Sequence, residues 1–356
     1  MKAIIAAGGT GGHIFPGVAI AREILRRDAD AGILFVGTPR GLESKIIPRE
    51  GFKLEMIRIV ALKSVSVFER IKSLARLPLS FVRALGIIRR FKPDVVIGIG
   101  GYASGPILLV AAIRRVPTLV VEPNALPGFT NRVLARFVDA AAVTFEESLK
   151  YFRGRGVVTG NPIRSDFGSI AKKERTAQLH VLVFGGSQGA HAINRALVDA
   201  LPLLGAKMEQ LVITHQTGER DYEMVKSAYR NSGFEEADVR PFINDMSNQF
   251  EKADLLICRS GATTAAEVAA AGKAAIFIPF PLAADDHQRK NAEAFERVGA
   301  GRMIVQKELT PERLAKELID IINHPEQIDS MELASRGLAH PDAAERTVDL
   351  AIKILR

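Results

Sequence analysis

The stretch Gly8-Gly9-Thr10-Gly11-Gly12-His13 follows a short apolar run and opens a segment of helical pattern. Glycines without a Cβ let a ligand approach the main chain, and the unpaired amides of a helix start favour an anion there. An imidazole in the same turn adds a group able to take a proton near neutral pH. The segment Gly185-Gly186-Ser187-Gln188-Gly189-Ala190 repeats the arrangement: buried-strand pattern, two glycines, a hydroxyl residue, one further residue, glycine, then a helix. Gly98-Ile99-Gly100-Gly101-Tyr102-Ala103-Ser104-Gly105-Pro106 is a third such turn. Close helix–strand packing accounts for any one of them. Together they point to phosphorylated ligands.

The familiar nucleotide fingerprints do not fit. The G-x-G-x-x-G spacing fails in both repeats, and the second strand runs into Gly37-Thr38-Pro39-Arg40-Gly41 rather than a ribose-binding acid. No Gly-Lys-Ser/Thr follows either, so dehydrogenase and ATPase chemistry lose support. The run from Cys258 to Glu267 also follows a strand and opens a helix. Its carboxylate either caps that helix, for which it is late, or accepts hydrogen bonds from a sugar diol. Beyond the next strand, Asp286-His287-Gln288-Arg289-Lys290-Asn291 reads as polar lining for a ligand or as a solvated helix start. The first reading is favoured, because loops at strand carboxyl ends carry sites in this architecture.

These loops need elements to hold them. Short apolar runs alternate with helical patterns throughout, the signature of parallel α/β layers. Strands are expected at 2–7, 33–36, 95–99, 118–121 and 140–143, then at 180–184, 210–214, 255–258 and 275–278. The polar, glycine- and proline-bearing run from Gly154 to Thr176 reads as the interdomain connection. The expectation is two doubly wound domains face to face, with ligands at the strand carboxyl ends.

Composition narrows the partners. A single cysteine, Cys258, allows no intrachain disulfide framework and fits a reducing compartment. Gly8 to Gly12 interrupts the first apolar run too early for a secretion signal, and Arg114-Arg115 cuts the longest other one, so a cytoplasmic protein is expected. A net charge of +8 calls for an anionic partner. With no Trp, four Tyr and no basic–aromatic module, nucleic acid is not expected. From Arg58 to Lys92 nine basic residues meet one acid, Glu69, and Lys72, Arg76, Arg83 and Arg90 form one helical stripe. Ile71, Leu74, Pro78, Phe81, Val82, Leu85 and Ile88 occupy another side, with Leu77 and Leu79 as additional apolar groups. This is either an ordinary amphipathic helix with a solvated basic face or a docking patch for anionic lipid.

In order, GGTGGH, GGYASGP, GNPIR, GGSQGA, RSGATTAAE and DDHQRKNA resemble the bacterial UDP-N-acetylglucosamine–N-acetylmuramyl-(pentapeptide) pyrophosphoryl-undecaprenol N-acetylglucosamine transferase family. The resemblance runs from residue 1 through at least Asn291. It implies an α/β GT-B fold, two Rossmann-like doubly wound parallel-sheet domains facing across a cleft. The first would span 1–160 and face acceptor and membrane, with a final helix at about 341–356 packing back on it; the second, 161–340, would bind the UDP-sugar. The implied reaction moves N-acetylglucosamine from UDP-N-acetylglucosamine to the 4-hydroxyl of the muramyl sugar of lipid I, giving lipid II with inversion.

Carried over by motif, Arg164 and Ser187 would contact the UDP part, Ile243 would read the uracil through its backbone, and Glu267 would hold the ribose. Gln288 and Asn291 would bind the sugar, while Thr10, Gly11, Gly12 and Asn124 would close over the donor. Gly100, Gly101, Tyr102 and Ser104 form the loop assigned to acceptor and diphosphate. Ile71, Lys72, Arg76, Leu79 and Arg83 make the membrane patch expected to meet anionic inner-leaflet lipids. Val121-Glu122-Pro123-Asn124 departs from a familiar His-Glu-Gln-Asn tetrad, so no role transfers for the missing His and Gln. His13 is the first candidate for the base and Glu122 the second.

No resident cofactor or metal is expected. Asp28-Ala29-Asp30, although it matches a metal-holding pattern, falls at the end of the sheet away from the glycine loops. The alternative activity is a UDP-N-acetylglucosamine 2-epimerase on a similar fold, which would act on the donor alone.

Overall fold

A computed structural model describes the chain except residues 9, 10, 40, 58–66, 187, 284, 285 and 356, and the side chains of 67–77, 102 and 165. It divides into two compact units, Met1–Arg164 with His340–Arg356, and Ser165–Ala339.

The first unit holds seven parallel strands: β1 (Lys2–Ala7), β2 (Gly32–Gly37), β3 (Lys53–Met56), β4 (Val95–Gly100), β5 (Thr118–Glu122), β6 (Ala140–Val143) and β7 (Gly156–Val158). Their order is β3-β2-β1-β4-β5-β6-β7, so the winding reverses between β1 and β4. Helices α1 (Gly11–Arg27), α2 (Glu43–Arg49), α3 (Val67–Phe91), α4 (Gly101–Ile113) and α5 (Phe129–Leu134) connect them. The central strands are apolar on both faces because helices cover both. Ile5, Ile97 and Leu119 point into a core with Ile14 and Ile24 of α1, whereas Ile4, Val96 and Val120 point into a core with Ile87 of α3 and Leu108 of α4.

The second unit has six parallel strands: β8 (Leu179–Phe184), β9 (Leu211–Gln216), β10 (Asp238–Arg240), β11 (Leu255–Cys258), β12 (Ala274–Phe277) and β13 (Gly301–Met303). The order β10-β9-β8-β11-β12-β13 places its reversal between β8 and β11. Its helices are α6 (Ser165–Gly168), α7 (His191–Leu204), α8 (Tyr222–Asn231), α9 (Met246–Lys252), α10 (Ala262–Ala271), α11 (His287–Arg297), α12 (Pro311–Asn323) and α13 (Glu326–Gly337). The last helix, α14 (Ala343–Lys353), belongs to the first unit. There it lies on α1, with Val348 and Ala351 in the α1 core and Arg27 paired to Asp349.

Three expectations change. The run from Gly154 to Thr176 is not wholly a connection: 156–158 forms edge strand β7 and the division falls after Arg164. On α3, Val82 is 65% exposed rather than packed, beside Leu79 at 69%, while Ala84, Ile87 and Ile88 supply the buried side. Arg90 is drawn out of the basic stripe by Glu55, at 2.6 Å. Arg83 is exposed, and the side chains of Ile71, Lys72 and Arg76 lie outside the described residues. Among the described residues no helix is long and apolar enough to cross a membrane.

Candidate functional site

In open parallel sheets a ligand binds where neighbouring connections leave in opposite directions, beyond the strand carboxyl ends. In the first unit that point lies between β1 and β4. Gly11 and Gly12 open α1, and His13 lies in its first turn. The Gly8 carbonyl only accepts, so the 3.2 Å contact from His13 Nδ1 places the proton on Nδ1 and makes Nε2 the basic nitrogen. Gly100 and Gly101 have φ of 114° and 74°, a region costly for other residues. A Cβ on Gly100 would lie 3.1 Å from His13 Nε2, and one on Gly101 2.4 Å from the Gly8 carbonyl. The glycines thus let the two loops meet with the imidazole beside them. Ser104 is fully buried; its hydroxyl accepts from Gly100 N–H and has the Ala6 and Gly100 carbonyls as acceptors. It fastens the loop rather than facing outward. Thr10 and the Tyr102 side chain lie outside the described residues.

Glu122 ends β5 and is buried. Oε1 accepts from the Asn124 main-chain N–H at 2.9 Å and its Nδ2 at 3.0 Å; Oε2 accepts from Gly128 N–H at 3.0 Å and Asn131 Nδ2 at 2.9 Å. Burial pushes its pKa up against the pull of those four bonds. The carboxylate is the hub of its own loop, with both oxygens held by donors of that loop. Asn131 was not apparent from the sequence. It lies next to Gly100, and its buried Oδ1 has no hydrogen-bond partner among the described residues. Arg164 stacks its guanidinium on Phe15 of α1, 5.2 Å from the ring centre.

The second unit repeats the plan between β8 and β11. Ser187 lies outside the described residues, but its neighbours Gly186 and Gly189 have φ of 96° and 72°. A Cβ on Gly189 would strike the Thr217 carbonyl at 1.8 Å, so this loop packs tightly on the one after β9. Asn194 of α7 joins them, donating to the Thr217 carbonyl at 2.8 Å and to Asp221 at 2.9 Å. Its Oδ1 meets His215 Nε2 at 3.0 Å; burial pushes the His215 pKa down to about 3, so that ring is neutral. Burial raises Asp221, yet bonds from Asn194 and His191 outweigh it and hold the carboxyl below its ordinary value. Gln216, also unforeseen, bridges Gly186 and Ile243. The Ile243 N–H is therefore already used.

Beyond β11 and β12, Glu267 sits in the middle of α10 with little exposure. Gln288 and Asn291 are on α11 rather than in a loop. Gln288 Oε1 accepts from Phe280 N–H at 3.0 Å, and a Cβ on Gly261 would lie 4.0 Å from its Nε2. Asn291 is fully buried and donates to the Ser260 carbonyl at 3.1 Å, so it orients that loop. Arg259 donates to the Ile278 and Pro279 carbonyls and to Gln306, and burial pushes its pKa down to about 10.

Other candidates fall away. Asp28 is occupied by the N-terminal amine at 2.6 Å and by Asp30 N–H at 3.2 Å. A concavity of about 410 Å³ lined by Ile113, Arg136, Phe137 and Asp139 lies at the amino-terminal edge of the first sheet, away from the glycine loops.

Comparison with known proteins agrees with both halves of this geometry. Residues 3–143 match the glycosyltransferase family 28 N-terminal domain, and residues 180–347 the family 28 C-terminal domain. A UDP-N-acetylglucosamine--N-acetylmuramyl-(pentapeptide) pyrophosphoryl-undecaprenol N-acetylglucosamine transferase from Syntrophus aciditrophicus is 48% identical over 359 residues, covering 100% of this chain and 99% of the relative. The crystal structure of Acinetobacter baumannii MurG is 32% identical with a TM-score of 0.80, covering 99% of this chain and 100% of that one. A putative UDP-N-acetylglucosamine 2-epimerase from Listeria monocytogenes has a TM-score of 0.71 at 15% identity over 99% of this chain and 95% of its own, a likeness of fold alone.

Proposed function

We propose, for a chain that belongs to glycosyltransferase family 28, that it moves N-acetylglucosamine from UDP-N-acetylglucosamine to the muramyl 4-hydroxyl of an undecaprenyl-diphosphate-linked acceptor, lipid I. The observation that carries this reading is the 48% identity to a transferase of that name across the whole chain. At 15% identity, the epimerase likeness lends that alternative no comparable support.

The residues divide the work by unit. In the second, amides at the start of α7 and the loop before it suit a diphosphate, Ile243 the uracil, Glu267 the ribose and Gln288 the sugar. In the first, His13 Nε2 takes the proton of the acceptor hydroxyl as that oxygen attacks the anomeric carbon and the UDP oxygen leaves. Arg164, fixed on Phe15, supplies a cation for the departing diphosphate. Gly100 and Gly101 shape the place for the acceptor. Leu79, Val82 and Arg83, with Ile71, Lys72 and Arg76 on the same helix, suit peripheral attachment to anionic lipid of the inner leaflet. No resident cofactor enters the scheme.

The test is UDP release from UDP-N-acetylglucosamine with and without a lipid I analogue. Release that requires the acceptor supports transfer; formation of UDP-N-acetylmannosamine without it refutes the proposal.

A further inference from the structure

Gln216 is the last residue of β9, 2% exposed, and in register with Phe184 of β8 on one side and Arg240 of β10 on the other. From this central position its side chain reaches the loops following both neighbours. Nε2 donates to the Gly186 carbonyl at 2.9 Å, and Oε1 accepts from Ile243 N–H at 2.8 Å. The main chain around it is equally committed, with Thr217 N–H donating to the Arg240 carbonyl at 3.0 Å and Gly218 N–H to the Pro241 carbonyl at 3.1 Å. The side chain needs one donor and one acceptor at a fixed separation, which a primary amide supplies. A glutamate would set an oxygen against the Gly186 carbonyl, and a methionine would leave both main-chain groups unmatched.

We infer that Gln216 is a positioning residue that ties the nucleobase segment at Ile243 to the diphosphate loop at Gly186 and thereby sets the pyrimidine specificity of the donor subsite. This rests on the donor-binding role proposed for the second unit. Because Gln216 holds the Ile243 N–H, the main-chain group Ile243 offers a base is its carbonyl, an acceptor. A pyrimidine with an N3–H matches it, whereas cytosine presents a lone pair at N3 and does not. A buried polar group left unmatched discriminates strongly between such ligands. The same amide keeps Gly186 in place for the diphosphate, so the two ends of the donor are read by one rigid piece.

Calorimetric binding of UDP and CDP to the wild-type chain, Gln216→Met and Gln216→Glu tests this, together with steady-state kinetics. The wild type should prefer UDP. Gln216→Met should weaken UDP about tenfold or more and bring the UDP-to-CDP ratio toward one. Gln216→Glu keeps the acceptor for Ile243 N–H but loses the donor to Gly186, so it should weaken UDP while keeping the preference. In both, the KM for UDP-N-acetylglucosamine should rise with the acceptor KM unchanged, a split that general loosening of the fold would not give. Wild-type affinity and preference in Gln216→Met overturn the inference. If melting shows that variant unfolded, wild-type UDP affinity in Gln216→Glu overturns it instead. A wild-type chain that binds neither nucleotide refutes the donor-site reading beneath it, a failure distinct from variants that bind normally.

Discussion

Two residues offered themselves as the base, and their surroundings separate them. His13 gives its Nδ1 proton to Gly8 and presents Nε2 at Gly100, whereas Glu122 spends both oxygens on four donors of its own loop. Gly100→Ala should therefore act through the imidazole. A φ of 114° strains any other residue by about 1–3 kcal/mol, and the new methyl would press on Nε2. The expected outcome is a fall in kcat of at least about tenfold with UDP affinity unchanged, read by kinetics and calorimetry. Glu122→Gln should lower activity through the loop yet keep the acid limb of the kcat/KM profile; loss of a general base would remove that limb and about 10²–10⁴ in rate. Because burial raises the Glu122 pKa above its ordinary 4.5, the folded state holds that proton to higher pH than the unfolded state. Its contribution to stability then falls as pH rises from 4.5 through the raised value. Chemical denaturation across that window should show Glu122→Gln gaining on the wild type as pH increases. The sequence nominated both residues, His13 first, but not the difference in their surroundings, because hydrogen bonds among Glu122, Asn124 and Asn131 depend on how the loop after β5 folds. Gln216 was hidden for a similar reason: a glutamine at a strand end carries no signal until the neighbouring strands are known.

Elements were legible in proportion to their burial. The strands at 2–7, 140–143 and 255–258 coincide with β1, β6 and β11 because both faces are covered and the apolar runs are unbroken. Edge strands β3, β7, β10 and β13 went unforeseen, being three or four residues long and only partly buried. The repeated pattern of two glycines, a hydroxyl residue, one residue and glycine falls where β1 gives way to α1 and β8 to α7, each beside a reversal of winding. Helix α14 makes its own prediction. Val348 is fully buried in the α1 core, so Val348→Asp should place an unpaired charge there and cost more than about 3 kcal/mol, seen as a lowered midpoint of chemical denaturation. Val348→Ala should cost less, about 1–3 kcal/mol, by leaving only a cavity.

For the molecule as a whole, a net charge of +8 together with exposed Leu79, Val82 and Arg83 on α3 suits reversible binding to an anionic surface. Each basic residue near such a surface contributes roughly 1 kcal/mol, and salt screens it. Co-sedimentation with vesicles should rise with anionic lipid and fall with added salt. The triple change Lys72→Glu, Arg76→Glu, Arg83→Glu should abolish it, and binding indifferent to both lipid charge and that change would refute the patch. Two doubly wound units, each with a glycine loop beside its reversal of winding, suit a transferase that handles a nucleotide sugar and a second substrate. The most direct measurement follows the sugar itself: UDP-N-acetylglucosamine labelled in the sugar is incubated with a muramyl-diphosphoryl-lipid acceptor, using wild-type protein and His13→Ala. The expected result is label joined to the acceptor by the wild type and a rate at least about a hundredfold lower in the variant. Label that stays on the nucleotide, or His13→Ala turning over at the wild-type rate, would contradict it.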